Sequence, residues 1–549
     1  MTTLQRLRHC LAAAFLIACA PAAPARDMIE PRALPGTAEL ETSGARIGAV
    51  TLRVEPIFDP SDEREARSLF RVADRLHMDT RASTLRAHLL FEPGDPYSQR
   101  VLDETARKLR EQRYIREPVV RPVAFHDGVV DVEVLVHDVW STNPGASFGR
   151  TGGANSSGFE FEELNLFGFG KQVSLGFKKN TDRTSYTARW HDPSVWGSRW
   201  QDTVAITRSD DGRGYELGLE RPFYSLDARW SAGFSAVQDS GTDRVYALGE
   251  TIAEYQRDTN AFDVHFGWSS GLHEGYAHRW IAGFRRENAE FAAEPAAQSA
   301  TALVPRGREL AFPYLRFESL QDDFETTRNH DQIARTEDLY FGRRFAVELG
   351  WAAPAFGADR SAALLSAQAS RGFRLAHERS LFVSSELSGR LENGAPADTL
   401  LSSQLRYYRP TGARSMFFAA LSGALGSKLD ADHGLVLDGQ FGLRGYPLHY
   451  QTGSSRALLT FEERLFTNWS LWRIAQVGGA VFFDAGRTSG ASVGGGESLG
   501  TLTDVGFGLR LGNSRSALAN VLHLDVAFPL GGDPSIRNVQ FLIQTRRSF

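Results

Sequence analysis

Apolar and polar residues alternate through most of this chain, and that alternation constrains the fold more than any other sequence feature. From Gly145 to Phe549 it recurs in segments such as "GFEFEELNL", "KQVSLGFKKN", "LFVSSELSGRL" and "SMFFAALSGAL", which Gly, Asp, Asn and Ser residues separate. A period of two predicts β-strands with one apolar and one polar face. No apolar run beyond the N-terminus is long enough for a membrane helix, so an exported chain could span a membrane only as a closed barrel.

The number of strands follows less directly from the sequence. Counting the alternating segments gives about 20 strands. Such a count can divide long hairpins in two, so we expect fewer strands in a large, even-numbered antiparallel barrel that spans residues 141–549.

The first 25 residues carry the features of an export signal peptide. Basic residues precede the apolar stretch "LAAAFLIA", and small residues at 23–25 offer a cleavage site. The segment "LIAC" also fits a lipobox, in which Cys19 would be the lipidated start of the mature chain, and both alternatives stay open. The two cysteines, Cys10 and Cys19, lie here. We therefore expect a mature protein without disulfides.

Charge excludes one class of partner. The chain has 61 basic and 66 acidic residues, which give a net charge of -5. A chain without a basic excess or polybasic runs lacks the electrostatic footprint of a nucleic-acid-binding protein.

Residues 45–140 follow a short linker at 26–44 and predict a small α+β domain. "IGAVTLRVEP" reads as a strand, and "STLRAHLLF" and "YSQRVLDETARKLREQR" have helical spacing. "VVRPVAFHDGVVDVEVLVHDVW" reads as a β-hairpin that turns at Asp127 and Gly128. The predicted order is β-α-α-β-β, with an insertion at residues 57–80, and either the first strand or the hairpin could leave an open edge.

The last strand alternates and ends on an aromatic residue. In "VQFLIQTRRSF" the apolar Phe541 and Ile543 share a parity with Phe549, and Gln540 and Gln544 share the other. This pattern predicts that the apolar side chains of the last strand face the lipid. A terminal Phe549 on an alternating strand resembles the outer-membrane assembly signal of Gram-negative bacteria.

One predicted loop contains an arginine, Arg444, within an apolar and Gly-rich stretch. If the C-terminus is periplasmic, the loop around residues 431–456, with its "FGLRGYP" stretch, starts outside the cell. It is too apolar and Gly-rich for an exposed loop, and a planar guanidinium favours carboxylate partners. Strand parity turns Glu462 and Asp484 toward the lumen, together with Gly486. We therefore expect Arg444 to fold into the lumen and pair with Asp484 and Glu462.

Several motifs together resemble one known superfamily. "LRGYP", an inward Glu, "FFDAG", "VGFGLRLG", "LHLDVAFPL" and a terminal Phe are similar to outer-membrane insertases and two-partner secretion transporters, the BamA/TamA-like bacterial surface antigen family. The resemblance implies a 16-strand barrel with a lumenal loop. It places Arg444, Gly445 and Tyr446 in the loop motif, with Asp484 and Gly486 on the strand that receives it.

The resemblance also extends to the N-terminal domain. Residues 45–140 resemble one POTRA domain, the periplasmic module of that superfamily. BamA-like insertases carry five such domains, TamA-like proteins three, and two-partner transporters two with a plug helix. The chain therefore looks like a single-POTRA branch of the superfamily rather than an essential general insertase.

Enzyme motifs are weak in this sequence. "GASFG" at 145–149 matches G-x-S-x-G, but the "RTGGANSSG" stretch that follows it does not predict the helix of a nucleophile elbow. No histidine pair has metal-ligand spacing on a predicted helix. We expect neither an enzyme nor a cofactor or metal site.

Three functions remain compatible with these patterns. The first is a factor that assists assembly or translocation of an unfolded β-rich protein client at the outer membrane of a Gram-negative bacterium. The second is a transporter or channel for lipid or another envelope component, and the third is a barrel-embedded hydrolase. A gap between the first and last strands would favour the first function. A wide, unplugged lumen would favour the second, and a Ser-His-acid cluster the third.

Overall fold

The structure is a computed structural model that describes residues 34–57, 78–151, 153–293, 303–471, 475–491, 498–513, 520–534 and 536–546. The predicted signal peptide, Cys10, Cys19, most of the predicted insertion at 57–80 and the terminal Phe549 lie outside the described residues.

A small α/β domain precedes the barrel. Its three-stranded sheet has the order β1-β3-β2, with β1 parallel and β2 antiparallel to β3. Its elements are α1 (Thr37–Thr42), β1 (Arg46–Glu55), α2 (Ala82–His88), α3 (Gln99–Glu111), β2 (Ile115–His126) and β3 (Val129–Asp138). Within the described residues of 45–140, the elements follow the predicted order β-α-α-β-β. Helix α1 lies within the predicted linker, and its Leu40 is fully buried in the core of the domain.

The sequence periods explain these elements. On α3, Leu102 and Leu109 are seven residues apart, so they share one helix face, and both are fully buried. The β2–β3 hairpin turns at Asp127 and Gly128, as predicted, with φ of 49° and 77°. Two successive positive φ angles match the tight turn that Asp-Gly favours.

The rest of the described chain forms a closed antiparallel barrel. Its strands are β4 (Thr142–Thr151), β5 (Ala154–Leu166), β6 (Lys171–Lys179), β7 (Thr184–Asp192), β8 (Gln201–Ser209), β9 (Arg213–Arg221), β10 (Trp230–Ala247), β11 (Glu250–His273), β12 (Tyr276–Ala293), β13 (Arg308–Gln321), β16 (Arg344–Ala352), β17 (Ala362–Leu375), β18 (Arg379–Glu392), β19 (Ala395–Gly412), β20 (Ser415–Ser427), β23 (Ser455–Leu471), β24 (Ala475–Ser489), β25 (Leu502–Asn513), β26 (Val521–Pro529) and β27 (Gln540–Arg546). Two short 3-10 helices, Val195–Gly197 and Pro354–Phe356, lie in turns.

The expected number of 16 strands is wrong: the described residues form a barrel of 20 strands. The sequence segments that we had suspected of being halves of long hairpins are separate strands, because each pairs along its own ladder with both neighbours. The strands from β5 to β9 show this most clearly, since short turns join them and four of the five have nine residues.

The outer face of the barrel is apolar and the inner face carries polar side chains, as a membrane-spanning barrel requires. Outward side chains such as Val481, Phe507 and Phe541 are apolar and exposed, and alternating inward positions such as Asp484 and Arg510 are fully buried. Stacked aromatic side chains, including Trp268 with Trp280, lie on the outer face. This is the pattern of an outer-membrane barrel. Among the described residues, no helix is long and apolar enough to cross a membrane.

Two connections between barrel strands fold into the lumen. On the side away from the domain, residues 428–454 join β20 to β23 and contain β21 (Leu435–Leu437) and β22 (Gln451–Gly453). We call this segment the outer loop. On the domain side, residues 322–343 join β13 to β16 and contain β14 (Phe324–Arg328) and β15 (Thr336–Tyr340). We call this segment the inner hairpin.

Candidate functional site

Arg444 of the outer loop lies inside the barrel against two carboxylates. Its Nε and Nη2 donate to the two oxygens of Asp484 at 2.7 and 3.1 Å, and its Nη1 donates to Glu462 Oε2 at 2.9 Å. The guanidinium also lies 3.4 Å from the centroid of the Phe482 ring. Arg444 is 4% exposed and Asp484 is fully buried. A planar guanidinium with two carboxylates and an aromatic face satisfies its charge without water.

Adjacent strands β23 and β24 place these carboxylates. In their ladder Glu462 pairs with Phe482, and Thr460 pairs with Asp484, so all four side chains point into the lumen. The Thr460 hydroxyl donates to Asp484 Oδ1 at 2.8 Å. Period-2 alternation thus brings the arginine's partners to one patch of the inner wall.

The next two loop residues bind the neighbouring strands. The Gly445 amide donates to Asp504 Oδ2 at 2.9 Å, and a Cβ on Gly445 would lie 2.7 Å from the Asp504 Cβ. The Tyr446 hydroxyl lies 2.9 Å from the carbonyl oxygen of Thr503 and 2.8 Å from that of Gly531. The loop therefore approaches the wall too closely at position 445 for any residue with a side chain.

Gly486 makes room for the loop from the other side. A Cβ at this position would lie 3.0 Å from both terminal methyl groups of Leu437 in β21. Leu437 belongs to an apolar cluster inside the barrel, whose fully or almost fully buried members are Leu437, Leu443, Tyr446, Tyr450 and Leu502. Apolar packing and the arginine pair together hold the outer loop in the lumen.

The sequence reasoning missed several lumenal residues that parity could have found. Asp504 lies opposite Asp484 in the β24–β25 ladder, and both are fully buried. Arg510 Nη1 donates to Asp525 Oδ1 at 2.5 Å, with Arg510 on β25 and Asp525 on β26. These three residues occur in "TDVGFGLRLG" and "LHLDVAFPL" at inward positions of strands that alternate clearly.

A second arginine extends the network to the inner hairpin. Arg464 Nε donates to the free oxygen of Glu462, Oε1, at 3.1 Å. Its Nη1 lies 3.1 Å from the carbonyl oxygen of His330 and 3.3 Å from Asp331 Oδ1, both in the inner hairpin. No sequence signal pointed to this contact, because residues 322–343 look like an ordinary charged loop.

The start of the outer loop has its own polar anchor. His433 Nδ1 lies 2.9 Å from both oxygens of Asp398 on β19, and Arg308 on β13 binds Asp432 at 2.8 and 2.9 Å. The hydrogen bond to Asp398 raises the pKa of the His433 imidazole, and the charges of Asp398 and Asp432 act in the same direction. A protonated His433 therefore strengthens this anchor.

Two described clusters have ligand types that metals use: His330, Asp331 and Glu337, and Asp398, Asp430 and His433. In the first, Glu337 accepts the backbone N–H groups of His330, Asp331 and Gln332. In the second, Arg390 binds both aspartates. Protein donors thus already satisfy these carboxylates, and both clusters are structural in character.

The serine-based hydrolase motifs do not form catalytic geometry. Ser147 of the G-x-S-x-G match lies within strand β4 and not at a strand-to-helix turn. A different serine, Ser380, has its Oγ 3.4 Å from His330 Nε2, but His330 Nδ1 is 3.8 Å from Asp331 Oδ2. That second distance is longer than a hydrogen bond. Asp331 instead accepts the Tyr408 hydroxyl at 3.0 Å.

Comparisons with known proteins give structural likenesses only. No family model matches the chain, and no curated protein matches it. It is similar to CdiB from Acinetobacter baumannii with a TM-score of 0.47 and 12% identity, covering 92% of this chain and 74% of that one. For CdiB from Escherichia coli the TM-score is 0.48, the identity 12%, and the coverage 91% and 76%.

The third likeness is to BamA from Haemophilus ducreyi lacking POTRA domains 1–3. The TM-score is 0.37 and the identity 13%, over 92% of this chain and 85% of that one. BamA is among the proteins that the sequence motifs resemble. At this level of similarity none of the three likenesses assigns a function to the chain.

Proposed function

We propose that this protein receives an extended protein client in the periplasm and assists its assembly into, or passage across, the outer membrane of a Gram-negative bacterium. The observation that carries the proposal is the seam between the first and last barrel strands. Among the described residues, β27 and β4 pair at one position only, Ile543 with Arg150.

The neighbouring ladders are much longer than the seam. Strand β26 pairs with β27 from Val521 to Ala527, and β5 pairs with β4 along the whole of β4. One side-chain hydrogen bond, from Gln544 Nε2 to Thr151 Oγ1 at 2.7 Å, supports the seam. At about 1 kcal/mol of net stabilisation per hydrogen bond, separating the described residues of β4 and β27 costs less than separating either strand from its other neighbour.

An opened seam presents two unpaired strand edges. Backbone N–H and C=O groups at such edges pair with an added strand without strict sequence demands. A β-rich client could therefore add to β4 or β27, and this chemistry suits many client sequences.

The N-terminal domain offers a second edge. The start of β1 is covered, because the Ile47 amide donates to Asp95 and its carbonyl accepts from Gly94. Beyond its ladder with β3, β2 forms no backbone hydrogen bond with another described segment between Val119 and His126. Val119 and Val123 on this stretch are 41% and 47% exposed. We assign the client-receiving edge to β2.

The filled lumen is evidence against the alternative of a passive channel. A barrel with more than 16 strands is wide enough for an aqueous pore unless a segment fills it. Here the outer loop and the inner hairpin both lie inside. Transport of lipid or another envelope component remains the alternative, and it predicts lipid rather than protein at the seam.

Photocrosslinking in living cells distinguishes these functions. A photoreactive amino acid at Val119 or Val123 tests the domain edge, and one at Phe148 on β4 tests the seam. Leu349 is the matched control, since this side chain is also apolar, outward and more than half exposed, on the distant strand β16. We expect the same β-rich protein at the edge and the seam and none at Leu349. Crosslinks to lipid alone would contradict the proposal.

A further inference from the structure

The inner hairpin lies inside the barrel although it connects two neighbouring strands on the domain side. Ile333 at its tip is 2% exposed and packs against Phe466, Ala480 and Val521. These residues belong to β23, β24 and β26 and point inward. A Cβ on Gly512 of β25 would lie 2.9 Å from the Ile333 Cβ. The tip therefore reaches from β13 and β16 to the opposite part of the wall.

The tip has a defined shape. Glu337 on β15 accepts the backbone N–H groups of three successive tip residues, His330, Asp331 and Gln332, at 2.9 to 3.2 Å. Asn329 Oδ1 accepts the amide of Ala334 at 2.7 Å. The His330 ring packs against the Tyr408 ring at a tilt of 32°, with centroids 3.7 Å apart. These contacts pre-form the tip for the site that it occupies.

The two inserted segments share a chain of ion pairs. Asp331 of the inner hairpin contacts Arg464 at 3.3 Å, Arg464 contacts Glu462 at 3.1 Å, and Glu462 contacts Arg444 of the outer loop at 2.9 Å. Arg464 and Glu462 are 2% and 4% exposed. Removing one charged side chain from this buried series of ion pairs leaves the neighbouring charge without a partner. The outer loop and the inner hairpin therefore stabilise each other.

The inner hairpin is also attached to the N-terminal domain. Arg110 on α3 forms a bidentate pair with Asp338 at 2.7 and 2.8 Å, and Arg107 contacts Asp322 at 3.3 Å. At the start of β2, Glu117 accepts a hydrogen bond from Arg328 at 2.7 Å. The base of the hairpin is thus held by the domain and its tip by the barrel wall.

We propose that the inner hairpin is a second plug of the lumen, that the N-terminal domain holds it in place, and that its withdrawal opens a conduit through the barrel. Because of the ion-pair chain, withdrawal also releases the outer loop. This inference does not depend on the nature of the client, since it concerns the passage of ions through the lumen. It adds a gated pore to the proposed client-handling role.

A reversible crosslink tests the movement of the hairpin. In the full-length protein, Ile333→Cys and Gly512→Cys place two thiols at the tip and on the wall, and the protein is reconstituted into planar lipid bilayers. We expect rare openings in the unmodified protein, loss of these openings in the oxidised variant, and their return with a reductant. Openings that are equally frequent in the oxidised and reduced variant would overturn the proposal.

A second pair of variants tests the attachment to the domain. Arg110→Ala removes the pair with Asp338, whereas Lys108→Ala on the same helix removes only a pair with Glu111 inside that helix. We expect Arg110→Ala to raise the open fraction about tenfold, as the loss of charge-assisted hydrogen bonds implies. Lys108→Ala should leave the open fraction unchanged. An open fraction in Arg110→Ala equal to that of Lys108→Ala would show that the domain does not hold the hairpin.

Replacing the tip, residues 329–335, with a short Gly-Ser turn addresses the plug itself. We expect the conductance to increase, and external protease to cleave the outer loop faster. A folded, heat-modifiable barrel whose conductance and loop cleavage equal those of the unmodified protein would overturn the proposal. If the replacement does not fold, the reversible crosslink decides.

Discussion

Arg444 and Asp484 lie 40 residues apart in the sequence and form a bidentate ion pair inside the barrel, with N–O distances of 2.7 and 3.1 Å. The pair joins the outer loop to β24, and both residues are almost completely buried. An ion pair in this position specifies where the loop lies, because either charge alone would be stranded away from water.

We expect Arg444→Ala or Asp484→Ala to destabilise the folded protein by roughly 3 to 5 kcal/mol, the cost of breaking a buried ion pair by removing one partner. Denaturant unfolding in detergent measures the loss, and protease cleavage of the outer loop reports its release. Arg487→Ala is the matched control, since Arg487 lies exposed on the outer face of the same strand. A charge-swapped double variant no more stable than the single variants would argue against direct pairing.

Gly445→Ala should loosen the outer loop while leaving every charge in place. The added Cβ would lie 2.7 Å from the Asp504 Cβ and 3.1 Å from the Pro529 backbone nitrogen. Forcing a methyl group into such a site costs roughly 1 to 3 kcal/mol. Gly176→Ala is the control, because its nearest neighbour would be 4.0 Å away. Equal cleavage of the loop in both variants would contradict the close approach.

The anchor at His433 should depend on pH. Its folded-state pKa is raised above the ordinary value of about 6.5, chiefly by the hydrogen bond to Asp398. The stabilisation is therefore complete below pH 6.5 and is lost as the pH rises through the folded-state pKa. We expect protease to cleave the outer loop faster at about pH 8 than at about pH 5.5.

Two substitutions separate this anchor from general effects of pH. His433→Gln should abolish the pH dependence of loop cleavage. His377→Gln removes a histidine from the β17–β18 turn and should preserve it. A pH dependence that survives in His433→Gln would assign it to another group.

Phe549 is predicted to act in assembly. The alternation that leads to it is visible in β27, where Phe541 points outward and is exposed while Gln540 and Leu542 are buried. Deleting Phe549 should lower the amount of heat-modifiable barrel in the outer membrane, and Phe549→Tyr, which keeps an aromatic end, should retain it. Normal levels after the deletion would count against an assembly signal.

Local alternation predicted much of the architecture. Each barrel strand alternates within its own few residues, so the presence of strands and the inward direction of Glu462 and Asp484 could be read from short windows. The same holds for the Asp-Gly turn of the domain. The strand number was wrong because the count of about 20 segments was discounted as dividing long hairpins in two, and the resemblance implied 16 strands.

The position of the inner hairpin inside the lumen could not be predicted from the sequence. Residues 322–343 contain many charged side chains, which a solvated loop would also have. The partner that makes Asp331 a lumenal residue, Arg464, lies 133 residues away in the sequence. No local sequence period or motif spacing connects residues that far apart. The position of the hairpin in the lumen therefore follows only from the three-dimensional structure.

The proposed function depends most on the seam between β4 and β27, and a reversible disulfide tests the seam directly. Arg150→Cys and Ile543→Cys place thiols at the position where the two strands pair. Val526→Cys and Phe541→Cys form the matched control across the long β26–β27 ladder. The measurement is the rate at which proteoliposomes containing each variant fold a urea-unfolded outer-membrane barrel protein, supplied as the probe client.

We expect the unmodified protein and the oxidised control to accelerate folding of the probe. The oxidised seam variant should not accelerate it, and a reductant should restore the acceleration. If the oxidised seam variant folds the probe as fast as its reduced form, the client does not use the seam and the proposed function is wrong.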